Sequence, residues 1–563
     1  MSYSNKTYSR QAKSMNTRST PQMQPTPGKT EHVNNAGGYG FKITKWEQLN
    51  RFLILGSESG TYYVGEKKLT RDNAKNVESC IMEDGRRVVD IVVAISDSGR
   101  APKNDAALFV LAMCAGLGNE SVRKYALENL PKVARIGTHL FHFAEYVQEF
   151  RGWGHGLRKA IANWYTEKDT NKLALQLVKY QSRDGWSHQD LIRLSHPKTS
   201  DADKNLALRW AVKGSDSLAE VYTSRWKVDV PQFDPLSTIY AFERVKSVMD
   251  EKDIIRLVQY YKLPLEAVPT EKQTRGVLAS AIPHLGITAL IRNLGRYSKE
   301  GILTATSDET KMIVKKLTDI EELRKGRVHP LNVLFALTTY ASGHGFRGGN
   351  TWDVISKLVD ALNEAFYLSF GLVTPTGKRI RLALDISGSM FFETSKIAGT
   401  NLFAGEAAAA MAMVTARTEK DYDIVGFSNT GNRPSAWHGY NSGLMPLDIS
   451  PTRRLDDICN YTRNLPFGGT DCALPMVDAL EKKLEFDLFC TITDSESWSG
   501  NIKPFQALKQ YRDAMGIPAK LVVIGMTATD ITIADPDDAG SLDIVGFDTA
   551  TPQIISDFAI GNM

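Results

Sequence analysis

Between His155 and Tyr165 the apolar residues Leu157, Ile161 and Trp164 recur at i, i+4 and i+7, a spacing that lays one buried stripe along an α-helix. Trp164 lies on that stripe and is expected in the core, whereas Arg158 and Lys159 fall away from it and are expected at the surface. The same periodicity predicts helices over Ala106–Cys114, Ser121–Ala134, Asn171–Tyr180, Thr238–Met249, Ile287–Gly295, Leu331–Tyr340 and Trp352–Phe366. Pro and Gly punctuate these stretches and few runs read as strands. From about Gly37 to Phe370 the pattern therefore predicts an all-α array of short helices, although no repeat period is evident.

The texture changes after Pro375-Thr376-Gly377. Short apolar runs at Arg379–Ile386, Asp423–Phe427, Phe486–Ile492 and Leu521–Ile524 alternate with helical patterns over Ala404–Arg417, Leu474–Leu484 and Phe505–Met515. Strands separated by helices imply a parallel sheet covered on both faces. The chain is thus expected to be multidomain, with an all-α module at 37–370 and an α/β doubly wound module at 371–563. The first 36 residues contain no Leu, Ile or Phe and should remain a disordered basic tail, since they bury too little apolar surface to offset the cost of ordering. For the same reason they lack the apolar helix face of an organelle transit peptide.

Charge sharpens the division. Of 563 residues, 68 are Lys or Arg and 64 are Asp or Glu, a net of +4. The tail carries +4, residues 37–370 carry +8 and residues 371–563 carry −8, a split that suits a polyanion-binding module joined to something else as well as it suits unevenly solvated surfaces. Five cysteines, an odd number without a C-x-x-C pair, argue against a disulfide scaffold or a cysteine zinc site and suit a reducing compartment. No apolar run approaches the roughly 18 residues of a membrane-spanning helix, so no membrane association is expected.

The sharpest motif is Asp385-Ile386-Ser387-Gly388-Ser389, directly after the first strand of the second module, on the edge where such sheets bind ligands. Asp385, Ser387 and Ser389 alternate, so one loop can aim three hard oxygens at one point. Gly468-Gly469-Thr470-Asp471 and Thr493-Asp494-Ser495 should reach the same edge. Hydroxyls and carboxylates without nitrogen or sulfur suit Mg2+ or a similar hard divalent ion, with water or a partner's oxygen completing the shell. The candidate metal ligands are Asp385, Ser387, Ser389, Thr470 and Asp494. By contrast Gly343-His344-Gly345-Phe346-Arg347-Gly348 satisfies G-x-G-x-x-G but follows a predicted helix, and a dinucleotide fingerprint requires a preceding strand.

In this order DISGS, GGTD and TDS resemble the metal-ion-dependent adhesion site (MIDAS) of von Willebrand factor A domains. With Arg417–Ser428, Gly468–Met476, Thr532–Thr549 and, earlier, Leu55–Val64, Leu157–Tyr165, Asp184–His196, Ala289–Ser298 and His329–Gly348, the chain resembles the Ro ribonucleoprotein family from about Gly37 to Phe558. That resemblance implies a TROVE domain, a ring of HEAT-like helical repeats, closed by a von Willebrand A domain. It implies Y RNA on the ring's outer basic surface and single-stranded ends of misfolded small RNAs in its hole. It further implies small-RNA quality control without intrinsic catalysis, an exoribonuclease or another protein as partner, and a cytoplasmic location, nuclear as well in a eukaryote.

The residues agree on where RNA should go. Residues 151–200 hold 9 Lys/Arg against 4 acids, interleaved with Trp153, Trp164, Tyr165, Tyr180 and Trp186. Cations bind phosphate by releasing counterions and rings stack unpaired bases, although exposed cations such as Arg158 and Lys159 also suit a plain solvated face. Ser187 reads as the cap of a helix, with Asp190 reaching back and Pro197 ending it, so His196 sits in the last turn, where the helix dipole favours positive charge. Alone, His196 reads more readily as only a cap. The resemblance makes Lys179, Arg183 and His196 RNA-recognition positions, and Arg158, Lys159 and His188 complete the candidate RNA-binding set.

Two other functions compete. A metal-dependent phosphohydrolase or nuclease centred on Asp385 would need an acid two residues after the nucleophile, and Ser387 stands there. Extracellular adhesion through the metal loops is opposed by the cysteine pattern and by the lack of a signal peptide.

Overall fold

The computed structural model describes residues 19–56, 69–226, 230–346, 349–371, 373–397, 400–429, 443–465 and 468–562. A short ladder of β1 (His32–Val33) and β2 (Tyr39–Lys42) leads into the helix Lys45–Leu55. Most of the expected helices then form: Asp105–Leu117, His155–Thr166, Thr170–Lys179, Ser237–Ser247, Ile287–Lys299 and Pro330–Ala341. The stretch expected as one helix over 121–134 is two, Glu120–Glu128 and Leu130–Val133, with Asn129 ending the first and Pro131 in the first turn of the second. The last expected helix begins only at Ser356. Trp164 is buried as its periodicity predicts. A feature that helical periodicity missed is the hairpin of β3 (Ser182–Arg183) and β4 (Trp186–Ser187), which turns through Asp184 and Gly185 at φ of 52° and 80°.

The helical array closes on itself. The His329 ring meets the Arg100 carbonyl at 3.1 Å, the Asn332 amide donates to the Pro102 carbonyl at 3.2 Å, and Arg327 pairs with Asp97 at 2.8 Å. These contacts join segments some 230 positions apart and leave a central cavity of about 1010 Å³.

In the second module β5 (Ile380–Asp385), β6 (Tyr422–Phe427), β7 (Leu444–Pro446), β8 (Leu488–Thr493), β9 (Lys520–Gly525) and β11 (Ser541–Val545) form one sheet, in the order β11-β9-β8-β5-β6-β7. All neighbours are parallel except β7. The chain runs outward from β5 through β6 to β7, then returns to build β8 on the other side of β5. The strand order therefore reverses between β5 and β8, the place where a doubly wound sheet opens a crevice at its carboxyl edge.

The first 36 residues depart from expectation. Residues 1–18 lie outside the described part, but residues 19–36 are not a disordered tail; they run along the α/β module. The Gln22 backbone donates to Gly500 and accepts from Tyr39, and the Lys29 amine pairs with Asp535 at 2.7 Å. β2 also pairs antiparallel with β10 (Ile531–Thr532), so the start of the expected helical module belongs to the α/β module's surface. Composition misleads here because the hydrogen-bonding partners come from a surface 450 or so positions away. From β2 the helix Lys45–Leu55 sends the buried Arg51 to Asp543 at 2.6 Å and to the Thr529 carbonyl at 2.6 Å, tying the modules together.

Candidate nucleic-acid interface and metal centre

The RNA-candidate residues occupy three settings. Arg158 and Lys159 are exposed on the helix His155–Thr166, opposite its buried Leu157, Ile161 and Trp164. Lys179, the last residue of its helix, is partly covered, lying 3.8 Å from a Glu266 oxygen and 5.4 Å from the Tyr180 ring. His196 is exposed and stands just past its helix rather than in the last turn, as a left-handed cap at φ 48°. Ser187 and Asp190 form the expected capping box.

His188 is a correction. It is 3% exposed, its ring bonds the Tyr165 hydroxyl at 2.8 Å and lies against Phe141, and burial pushes its pKa down to about 4. It holds the core together and presents nothing to phosphate. The capping motif gave its position at a helix start, but not that the first turn faces inward.

Arg183 is exposed in the hairpin and also lines the central cavity. The hairpin is held from below by the helix Gly137–Phe150: the His142 ring pairs with Asp184, and Trp186 donates to Glu145 at 2.8 Å. The same cavity is lined by Arg292 and Arg296 on one helix, Phe335 and Tyr340 on another, and Met526 and Phe547 of the α/β module. The two arginines were missed as candidates. Their signal lay in the helix Ile287–Lys299, where Ile287, Leu290, Ile291 and Leu294 are buried on one side and Arg292 and Arg296 fall on the other.

At the carboxyl edge of the sheet the three predicted loops do come together. Register pairs Leu384 with Ile492, setting Asp385 beside Thr493, whose hydroxyl donates to the Asp385 carboxylate at 2.6 Å. The Ser387 amide donates to the other Asp385 oxygen at 2.9 Å, and the Ser387 and Ser389 hydroxyls lie 3.0 Å apart. The Thr470 loop is stitched to both neighbours: Gly388 donates to the Gly468 carbonyl, and Trp498 and Ser499 donate to that of Thr470. All five candidate ligands are buried. Burial, with the Asp494 carboxylate as a second cause, raises the Asp385 pKa to about 7; burial raises that of Asp494 too.

The donor set fits a hard cation. One oxygen of Asp494, a residue 1% exposed, has no hydrogen-bond partner, nor has the neighbouring buried Ser495 hydroxyl. Two carboxylates facing each other out of water are costly unless a cation or proton sits between them. Among the described residues no group of three or more His, Cys, Asp or Glu forms a metal cluster, so hydroxyls and water would have to supply the remaining ligands. Also among the described residues, the five cysteines are free and buried and no helix is long and apolar enough to cross a membrane. The G-x-G-x-x-G stretch follows a helix, as expected, with its last two residues outside the described part.

Comparison with known proteins places these features. Residues 379–559 match the family model of the Ro60 vWA domain, and residues 32–227 and 270–342 match that of the TROVE domain. The chain is 39% identical over 533 residues to the RNA-binding protein RO60 of Deinococcus radiodurans, covering 94% of this chain and 95% of the relative. It is 36% identical over 599 residues to the RNA-binding protein RO60 of Caenorhabditis elegans, covering 94% and 90%. The crystal structure of the Deinococcus radiodurans RO (RSR) protein aligns with a TM-score of 0.67 at 39% identity, over 92% of this chain and 100% of that one.

Proposed function

The chain belongs to the Ro RNA-binding protein family, and on that premise we propose that it binds structured small RNA, of the Y RNA kind, on its outer basic helices and takes single-stranded ends of misfolded small RNAs into its central cavity. The observation that carries this reading is the cavity itself, a space of about 1010 Å³ with Arg183, Arg292 and Arg296 on its wall beside the half-buried Phe335 and the exposed Phe346. Guanidinium groups take phosphates and the rings offer stacking faces to unpaired bases. A single strand, with its bases free, can use both; a duplex hides its base faces and is left to the outer cations. In this reading the protein is a ribonucleoprotein scaffold or chaperone in cytoplasmic small-RNA quality control, handing RNA ends to an exoribonuclease rather than cutting them.

The metal loops would hold Mg2+ through Asp385, Ser387, Ser389, Thr470 and Asp494. The ion would supply charge neutralisation that steadies the sheet edge. The hydrolase alternative is weaker, because Ser387 occupies the position of the required proton donor and both relatives are named for RNA binding. Photo-crosslinking of a 4-thiouridine-labelled RNA, with a stem and a single-stranded 3′ tail, tests the reading. Tail crosslinks should fall on the cavity wall and drop in Arg292→Ala. Tail crosslinks confined to Arg158 and Lys159, or cleavage of the RNA that disappears in Asp385→Ala, would overturn it.

A further inference from the structure

The segment from Thr20 to Ala36 meets the α/β module next to the metal loops. Gln22, 1% exposed, donates from its amide to Asp471 at 2.6 Å and to the Ile502 carbonyl at 3.0 Å, while its own amide oxygen accepts from the Ser497 hydroxyl. Asn34 donates to the Ser497 carbonyl at 2.9 Å. Asn35 and the Ala36 backbone hold the two oxygens of Glu496 at 2.7 and 3.2 Å. The buried Lys503 reaches back from the same loop to the carbonyls of Gln22 and Tyr39 at 3.0 and 2.9 Å. At Gly38 the approach is so close that a Cβ would lie 2.0 Å from the Ser497 carbonyl oxygen.

These interactions flank the candidate ligands on two of the three loops. Asp471 follows Thr470, and Glu496 stands two residues after Asp494, whose carboxylate keeps an unpartnered buried oxygen. Between them Ser495 is left-handed at φ 63°, a backbone state that a non-glycine residue holds only when its surroundings fix it. The strap supplies part of those surroundings: it pins Asp471, just after Thr470, and Glu496 and Ser497, just after Asp494.

We propose that residues 20–36 are the in-chain partner of the metal-loop edge, and that seating of this strap and binding of a divalent cation reinforce each other. The edge is then closed from within the chain rather than held open for a carboxylate-bearing protein. Coupling of this kind is reciprocal: if the strap improves cation affinity, the cation must improve strap seating by the same factor. The proposal rests on the reading of the three loops as a Mg2+ site, and the experiment separates the two.

Mg2+ binding to the full chain is measured by calorimetry, and seating of the strap by the rate of tryptic cleavage after Lys29, whose amine is tied to Asp535 and Asp537. In the wild type, chelation should speed cleavage after Lys29 at least several-fold over the rate in Mg2+. The double variant Gln22→Ala/Asn35→Ala should bind Mg2+ about five-fold or more weakly. Asn35→Ala alone, which removes one hydrogen bond at the surface, should show a smaller loss in the same direction and guards against a folding defect in the double variant. Wild-type protein that binds Mg2+ but is cleaved equally fast with and without it would overturn the coupling and leave the metal reading intact. Absence of any Mg2+ binding by the wild type would overturn both.

Discussion

The two modules carry their candidate chemistry in opposite ways. In the α/β module it is concentrated: three loops at one sheet edge, every candidate ligand buried, and carboxylates held at high pKa by burial. In the helical module it is dispersed over exposed cations on several helices and one hairpin, while the buried histidines among the described residues, His188 and His329, are held neutral at pKa values of about 4. A concentrated site needs few residues fixed accurately, and a short motif can announce it. A dispersed one binds by summing many weak interactions, and its members cannot be told from ordinary solvated charge by their neighbours in sequence.

The largest effect that would break the comparison is loss of the link between modules. Arg51→Ala strands the Asp543 carboxylate in a largely buried place, and breaking such a pair costs about 3–5 kcal/mol. We expect a large fall in the denaturant midpoint of the α/β module, read by hydrogen exchange in β9 and β11; a midpoint unchanged from wild type would show that the modules stand independently.

The next effect is opposite pH dependence. The folded state holds His188 well below its ordinary 6.5, so its contribution is present above pH 6.5 and is lost as pH falls toward 4, up to about 3 kcal/mol. Asp385, Asp471 and Glu496 are all raised to about 7, chiefly by burial. Their contribution is present at low pH and is lost as pH rises through 7. In chelator, acidification from pH 7.5 to 5.5 should therefore loosen the helices around His188 and tighten β5 and β8, seen in exchange rates corrected for intrinsic pH dependence. Both modules moving the same way would refute this assignment of buried charge.

Third, Ser387→Ala with Thr470→Ala should abolish stabilisation by Mg2+, which for an intact site reaches about 2.7 kcal/mol at a hundredfold excess over Kd. RNA affinity should change little, since the cationic helices lie in the other module. A wild type that melts identically in Mg2+ and chelator would remove the metal from the comparison.

The smallest effects sharpen the dispersed site. Every cation withdrawn from a duplex phosphate should flatten the salt slope of log K by about 0.9. Lys179→Ala should weaken binding of a stem and spare a single strand; Arg183→Ala, whose side chain also lines the cavity, should weaken both; and His196→Ser should cost the stem a few-fold. Filter binding over a salt series distinguishes them. Equal weakening for both ligands in Lys179→Ala would mean one shared surface.

The sequence by itself determined the division into helical and α/β modules, the burial of Trp164 and the convergence of the three loops at one sheet edge. Each follows from local rules: a helical stripe must face inward, and loops at the carboxyl ends of parallel strands must share an edge. Only the tertiary structure decided that His188 is core, that Arg183 faces the cavity, and that residues 19–36 are seated rather than loose. In each case the deciding partner is far along the chain or on another element: Tyr165 and Phe141 for His188, the closed ring for Arg183, and Asp471, Ser497 and Lys503 for the strap. A polar segment without Leu, Ile or Phe carries no record of the hydrogen bonds another domain will offer it, because that information resides in the surface it meets.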